Sequence, residues 1–134
     1  MNNLDMSQVI KGKSDQLNVD DIVGTQLMIQ VENINITTDP KQPVQIFYIG
    51  SAIPFKPCLT VRRILAALWG KDGNQWIGRF MNLYVDQDVD FGNQKQIGGL
   101  RVNALSNIEK RATIKLTARR GMKKEYIIEP IKLN

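Results

Sequence analysis

Histidine is absent from this chain and cysteine occurs once, at Cys58. These two shortages exclude a Cys/His zinc site within one chain, together with the Ser-His and Cys-His pairs on which much hydrolase chemistry depends. What remains to an enzyme is a carboxylate-bound Mg²⁺ or Mn²⁺ site, or catalysis by lysine or arginine. One cysteine cannot close an intramolecular disulfide, so a reducing cytoplasm is the expected setting. Long apolar runs are missing too. The longest, Val61 to Trp69, is interrupted by Arg62 and Arg63 and falls far short of a bilayer span, so no membrane partner is expected. Residues 1–25 hold no compact apolar run of the kind a secretory signal needs. There is neither an internal repeat nor a low-complexity segment.

What is present is an uneven distribution of charge. Residues 1–55 carry three bases (Lys11, Lys13, Lys41) against six acids, whereas residues 56–134 carry fifteen bases against seven. The net charge of +5 therefore hides a strongly basic half. The bases of that half lie among strand-like stretches and rings, namely Trp76, Phe80, Tyr84, Phe91 and Tyr126. Bases interleaved with rings suit a polyanion with stackable faces, which points to nucleic acid. The 134 residues, 43% of them hydrophobic, suffice for one domain with its own core and not for two.

Met1 to Lys13 is polar and aperiodic, and residues 1–17 are expected to form a flexible arm ahead of a single domain over 18–134. Asn18 before Val19-Asp20-Asp21-Ile22, closed by Gly24, has the grammar of one short helical turn. From Gln26 to Ile36 the apolar residues alternate as Leu27, Ile29, Val31 and then change parity to Ile34, Ile36. That slip, at Glu32-Asn33, predicts a β-bulge and a bent strand able to serve two halves of a sheet. A turn over residues 38–43 leads to a second strand, Val44 to Gly50. Thr60 is a candidate N-cap for a helix whose stripe Val61, Ile64, Leu65, Leu68, Trp69 would plug the core, with Gly70 as its stop. Arg62 and Arg63 fall near its start as solvated residues or phosphate contacts.

Gln75 to Asp86 reads as a strand with Ile77, Met81, Leu83 and Val85 on one face and Trp76, Phe80 and Tyr84 on the other. The ring face is either packed under a neighbouring element or an exposed stacking platform. Asp86, Asp88 and Asp90 can approach one ion, but the glycine and glutamate of a calcium loop are not at the required places, so a solvated loop is expected. Leu100 to Ser106 and Ala112 to Arg119 read as amphipathic strands. The first turns Leu100, Val102 and Ala104 inward and Arg101, Asn103 and Leu105 outward. The second turns Ala112, Ile114, Leu116 and Ala118 inward and Lys115 and Arg119 outward. A hairpin tip rich in bases, Arg119, Arg120, Lys123 and Lys124, then returns into Glu125 to Ile131. Taken together, the expected fold is mainly β with one core helix.

The series Phe55-Lys56-Pro57-Cys58, Arg62-Arg63, Trp69-Gly70, Gly78-Arg79, Leu83-Tyr84, Asp86, Asp88-Val89, Phe91-Gly92 and Gly98-Gly99-Leu100-Arg101-Val102 resembles that of a family of small proteins encoded by bacteriophages and prophages. Thr117-Ala118-Arg119-Arg120-Gly121 followed by Tyr126 resembles the same family's end. The resemblance runs from about Val19 onward. It implies a phage setting in the host cytoplasm and a β-barrel similar to an OB-fold, the architecture of many single-stranded DNA-binding proteins. Two departures stand out. The helix follows the second strand here and the third in the usual OB order, so a variant strand order is expected. The chain also ends Glu129-Pro130-Ile131-Lys132-Leu133-Asn134 and lacks the acidic tail with which many such proteins recruit replication partners.

The leading expectation is a non-catalytic, largely sequence-independent single-stranded DNA-binding protein of phage replication or recombination, needing no cofactor. Arg79, Arg101, Lys115, Arg119, Arg120, Lys123 and Lys124 would hold phosphates, and Trp76, Phe80, Tyr84 and Phe91 would stack on bases. Replication or recombination proteins are the expected protein partners, and a homo-oligomer would lengthen a short binding track. Two alternatives remain. One is a metal-dependent nuclease built on Asp86, Asp88 and Asp90. The other is an interaction module that sets its basic face against an acidic host factor, with Trp76 and Phe80 as interface anchors.

Overall fold

The parity slip at Glu32-Asn33 organises the sheet. The structure, a computed structural model, describes residues 15–22, 24–86, 99–119 and 121–133. Strand β1 (Gln26–Ile36) shifts register between Val31 and Asn33. Ahead of the shift, residues 26–30 pair with β3 (Phe80–Asp86); from the shift onward, the strand pairs with β2 (Val44–Tyr48). One strand thus serves two neighbours along different stretches, as the bulge predicts.

The other strands are β4 (Gly99–Leu105), β5 (Ala112–Arg119) and β6 (Met122–Pro130), and the six-stranded order is β2-β1-β3-β4-β6-β5. Neighbours are antiparallel except β4 and β6, which run parallel and pair only at Ala104↔Glu129 and Leu105↔Pro130. The β5–β6 hairpin therefore joins the sheet through one short contact, and β2 and β5 are the two edges. The sheet is open among the described residues, which corrects the expected barrel: closure requires its edge strands to pair, and β5 pairs with β6 alone.

Short helix α1 (Val19–Ile22) begins where Asp21 accepts a 2.8 Å hydrogen bond from the Asn18 N–H, satisfying a donor at the helix start. Just ahead of it, Leu17 is buried and its N–H donates to the Pro54 carbonyl. Residue 17 thus packs against the domain, and residues 1–14 of the expected arm lie outside the described residues. Helix α2 (Leu59–Trp69) buries Val61, Ile64, Leu65 and Trp69, as the stripe predicts, and Gly70 ends it at φ 92°. Its N-cap is Cys58 and not Thr60, because the Arg62 N–H already bonds to the Cys58 carbonyl. No described helix is long and apolar enough to cross a membrane.

Two expectations about strand faces are overturned. The expected strand Gln75 to Asp86 starts only at Phe80, behind a 3₁₀ turn over Gly73–Trp76 whose entry is held by the Asp72 carboxylate accepting from the Asn74 N–H. Gly78, at φ 89°, then reverses the chain in a conformation that disfavours other residues. The period of 2 does not cross this turn, so Trp76 is buried at 7% exposure while Ile77, expected inside, stands 44% exposed. In β4 the inward set is Val102 and Leu105, with Ala104 half-buried. The cause lies opposite: the partners of Asn82 and Leu83 are Ala104 and Val102, so Asn103 is skipped and the parity changes.

Ser106 is the buried polar residue among the described ones, and three elements meet on it. Its hydroxyl accepts from the Phe80 N–H (2.8 Å) and donates to Asn107 Oδ1 (2.7 Å), and its carbonyl accepts from Trp69 Nε1 (2.8 Å). Its N–H donates to the Phe80 carbonyl. Helix end, β3 start and β4 end are thereby pinned together. Ser106→Ala leaves the Phe80 N–H unpaired in a buried site and is expected to cost about 1–3 kcal/mol in a urea unfolding titration; a loss within the roughly 0.5 kcal/mol of a neutral surface change would contradict this role.

Candidate functional site

Because alternate residues of a strand share a face, burial of Met81 and Leu83 turns Phe80, Asn82 and Tyr84 to the side away from the core. Beside them in register lie Gln30, Met28 and Gln26 of β1, and Ala104 and Arg101 of β4. Asn82 Nδ2 donates to Gln26 Oε1 at 2.6 Å and to Asn103 Oδ1 at 2.9 Å. A band of amides thus crosses three strands, with the half-buried rings of Phe80 and Tyr84 on either side of it. At a strand rise of about 3.3 Å per residue the two ring positions are about 13 Å apart.

Tyr84 stands opposite Arg101 and near Asp86 and Tyr126. Burial raises its phenol pKa above the usual 10.0, the Asp86 carboxylate adds to the rise, and Arg101 opposes it. Asp86 meets Lys124 Nζ at 3.5 Å, and that ammonium also lies 5.5 Å from the Tyr126 ring centre. Lys124 therefore ties the β5–β6 hairpin to the end of β3, beside Tyr84.

Of the residues singled out in the sequence, Tyr84, Arg101 and Lys124 come together at the end of β3, and Phe80 lies at the start of the same strand. Trp76 does not: its Nε1 donates to the Gly70 carbonyl at 2.9 Å and its ring lies 6.2 Å from that of Trp69. It belongs to the core and has no face free to stack on a base. Arg79 lies over Trp69 at 5.6 Å. Lys115 is paired with Glu125 at 3.6 Å on the exposed side of the hairpin, and Lys123 is exposed two register positions further on, opposite Thr117. Phe91, Asp88, Asp90, Arg120 and the Arg119 side chain lie outside the described residues. Among the described residues no group of three His, Cys, Asp or Glu side chains gathers to hold a metal ion. Sequence reasoning missed the amide band, although Gln26, Met28 and Gln30 share a parity opposite to that of Leu27, Ile29 and Val31.

Arg101 also reaches away from the sheet. Its Nη1 donates to Cys58 Sγ at 2.9 Å and to the Leu100 carbonyl at 3.2 Å, which joins β4 to the start of α2.

The chain matches no protein-family model, no curated protein and no solved structure.

A raised phenol pKa has a direct consequence for stability. Folding favours the protonated Tyr84, so its contribution is fully present below pH 10, the unfolded value, and is lost as pH climbs through the higher folded value. Alkaline unfolding curves should therefore fall less steeply above that pH in Tyr84→Phe than in the parent chain, and identical slopes would show that the phenol is not the group responsible.

Proposed function

We propose that this chain is a non-catalytic single-stranded DNA-binding protein, largely indifferent to sequence, and that the β1-β3-β4 face carrying Phe80 and Tyr84 is its platform. The observation that carries this reading is the pair of half-buried rings on one sheet face that no described element covers, spaced along a single strand with hydrogen-bonding amides between them. Bases stacked on rings gain free energy irrespective of their identity, and amides offer donors and acceptors to base edges. Arg101 and Lys124 bring positive charge to the Tyr84 end, where a backbone phosphate would gain most from it.

The resemblance to small phage proteins gives the proposal its setting, phage DNA replication or recombination in the host cytoplasm. An OB-like reading of the architecture belongs to the same proposal. A bent first strand shared between two sheet halves is the device by which such folds curve, and stacking requires the face and not a closed barrel.

The test is a fluorescence-anisotropy titration of labelled oligo-dT against a matched duplex at two salt concentrations. Binding should be tighter to the single strand and weaken with salt. Phe80→Ala and Tyr84→Ala should each cost about 1–3 kcal/mol of binding free energy. Lys123→Ala should shift affinity for any sequence equally, if at all. Equal affinity for duplex, or full affinity without both rings, would overturn the proposal.

A further inference from the structure

A cavity of about 200 Å³ opens between the turn ahead of α1, the segment Phe55 to Cys58 and the start of β4. Its walls include two cationic side chains, Lys56 and Arg101, with the amides of Asn18 and Gln42 and the thiol of Cys58. The volume is below the roughly 300–1,000 Å³ of sites that enclose drug-sized ligands, so it suits a small group better than a whole nucleotide.

The two cations of this wall are incompletely paired. Arg101 uses Nη1 on Cys58 Sγ and on the Leu100 carbonyl, yet its buried Nε has no hydrogen-bond partner among the described residues. A buried charged donor left unpaired is costly, and an anion's oxygen is the partner that relieves it best. The second such Nε belongs to Arg62, whose Nη2 donates to the carbonyl of Lys41, next in sequence to Gln42. Helix α2, which starts beside the cavity, has no acid in its first turn. The Lys56 side chain is only 12% exposed, and its described partner is the carboxylate of Asp15, 3.3 Å away and itself 84% exposed. A surface carboxylate thus occupies the lysine from outside.

We infer that this cavity is a binding site for a phosphoryl group, held by Arg101 and Lys56, with Asp15 as a carboxylate that competes for Lys56. Guanidinium and phosphate match in geometry as well as charge. The ligand is a free phosphate or the terminal phosphate of a nucleic-acid strand, chemistries that share the same three-oxygen head. The inference shares Arg101 with the proposed DNA platform but rests on the cavity, on Lys56 and on the unpartnered Nε, so loss of oligo-dT binding in Phe80→Ala or Tyr84→Ala would leave it standing.

Cys58, the chain's one cysteine, lines the cavity and so reports on its occupancy. The experiment is the rate of Cys58 alkylation by iodoacetamide in the full chain, in chloride and in inorganic phosphate at matched ionic strength. Phosphate should slow the reaction, by about tenfold once its concentration is ten times its Kd. Arg101→Gln should abolish the protection. Asp15→Asn, a change at an exposed position that leaves folding intact, should bring protection on at lower phosphate. Oligo-dT with and without a 5′-phosphate then separates the sources: protection by the phosphorylated strand alone assigns a strand end, and protection by inorganic phosphate alone assigns the free ion. Equal rates in chloride and phosphate, or protection that Asp15→Asn weakens, would overturn the site.

Discussion

Ser106 gives one buried hydroxyl to the first N–H of β3 and one carbonyl to the indole of Trp69, and the placement of the outer face follows from that. Phe80 begins β3 at this point, so the side of the sheet to which Phe80, Asn82 and Tyr84 turn is decided where the strand is pinned. The same residue ends β4, and its own position fixes where the β4 backbone must stop relative to the helix. A buried hydroxyl with both roles filled holds one register, whereas an apolar residue would tolerate several. Around it the two tryptophans pack on each other and Arg79 lies across Trp69, so the rings that sequence composition offers to a ligand are partly consumed in holding this corner.

From that corner the sheet grows in two unequal parts. The bulge in β1 lets one strand pair with β2 and β3 in succession, while the β5–β6 hairpin attaches through two residue pairs and the contact of Lys124 with Asp86. Charge follows this division. The bases of the hairpin side meet acids of their own, Lys115 with Glu125 and Arg111 with Glu129, and such exposed pairs add little to stability. Their consequence is electrostatic: Lys115 and Arg111 are matched by acids on the facing strand, β6. Arg101 and Lys56 sit in the wall of a cavity, where Lys56 meets only an exposed carboxylate, Asp15, among the described residues.

Legibility in the sequence follows the range of the interaction. The bulge was readable because a period of 2 visibly changes parity within one strand, and the helix because Val61, Ile64, Leu65, Leu68 and Trp69 carry its period without interruption. The inward face of β4 was not, since the shift that moves Leu105 into the core is defined by its pairing with β3. Trp76 misled because a 3₁₀ turn stabilised by Asp72 replaces the start of a strand without disturbing the alternation of residue types. At the candidate site, Phe80 and Tyr84 were readable from parity. The amide band and the Arg101–Cys58 contact were not, for they join residues 56, 21 and 43 positions apart.

The proposed site for a single strand is the β1-β3-β4 face and not the outer side of the basic hairpin. Amide ¹H–¹⁵N shift mapping during an oligo-dT titration tests it most directly. Perturbations should concentrate at Gln26, Met28, Gln30, Phe80, Asn82, Tyr84, Arg101 and Asn103. Shifts confined to Thr113, Lys115, Thr117 and Lys123, with the β3 face unchanged, would contradict it.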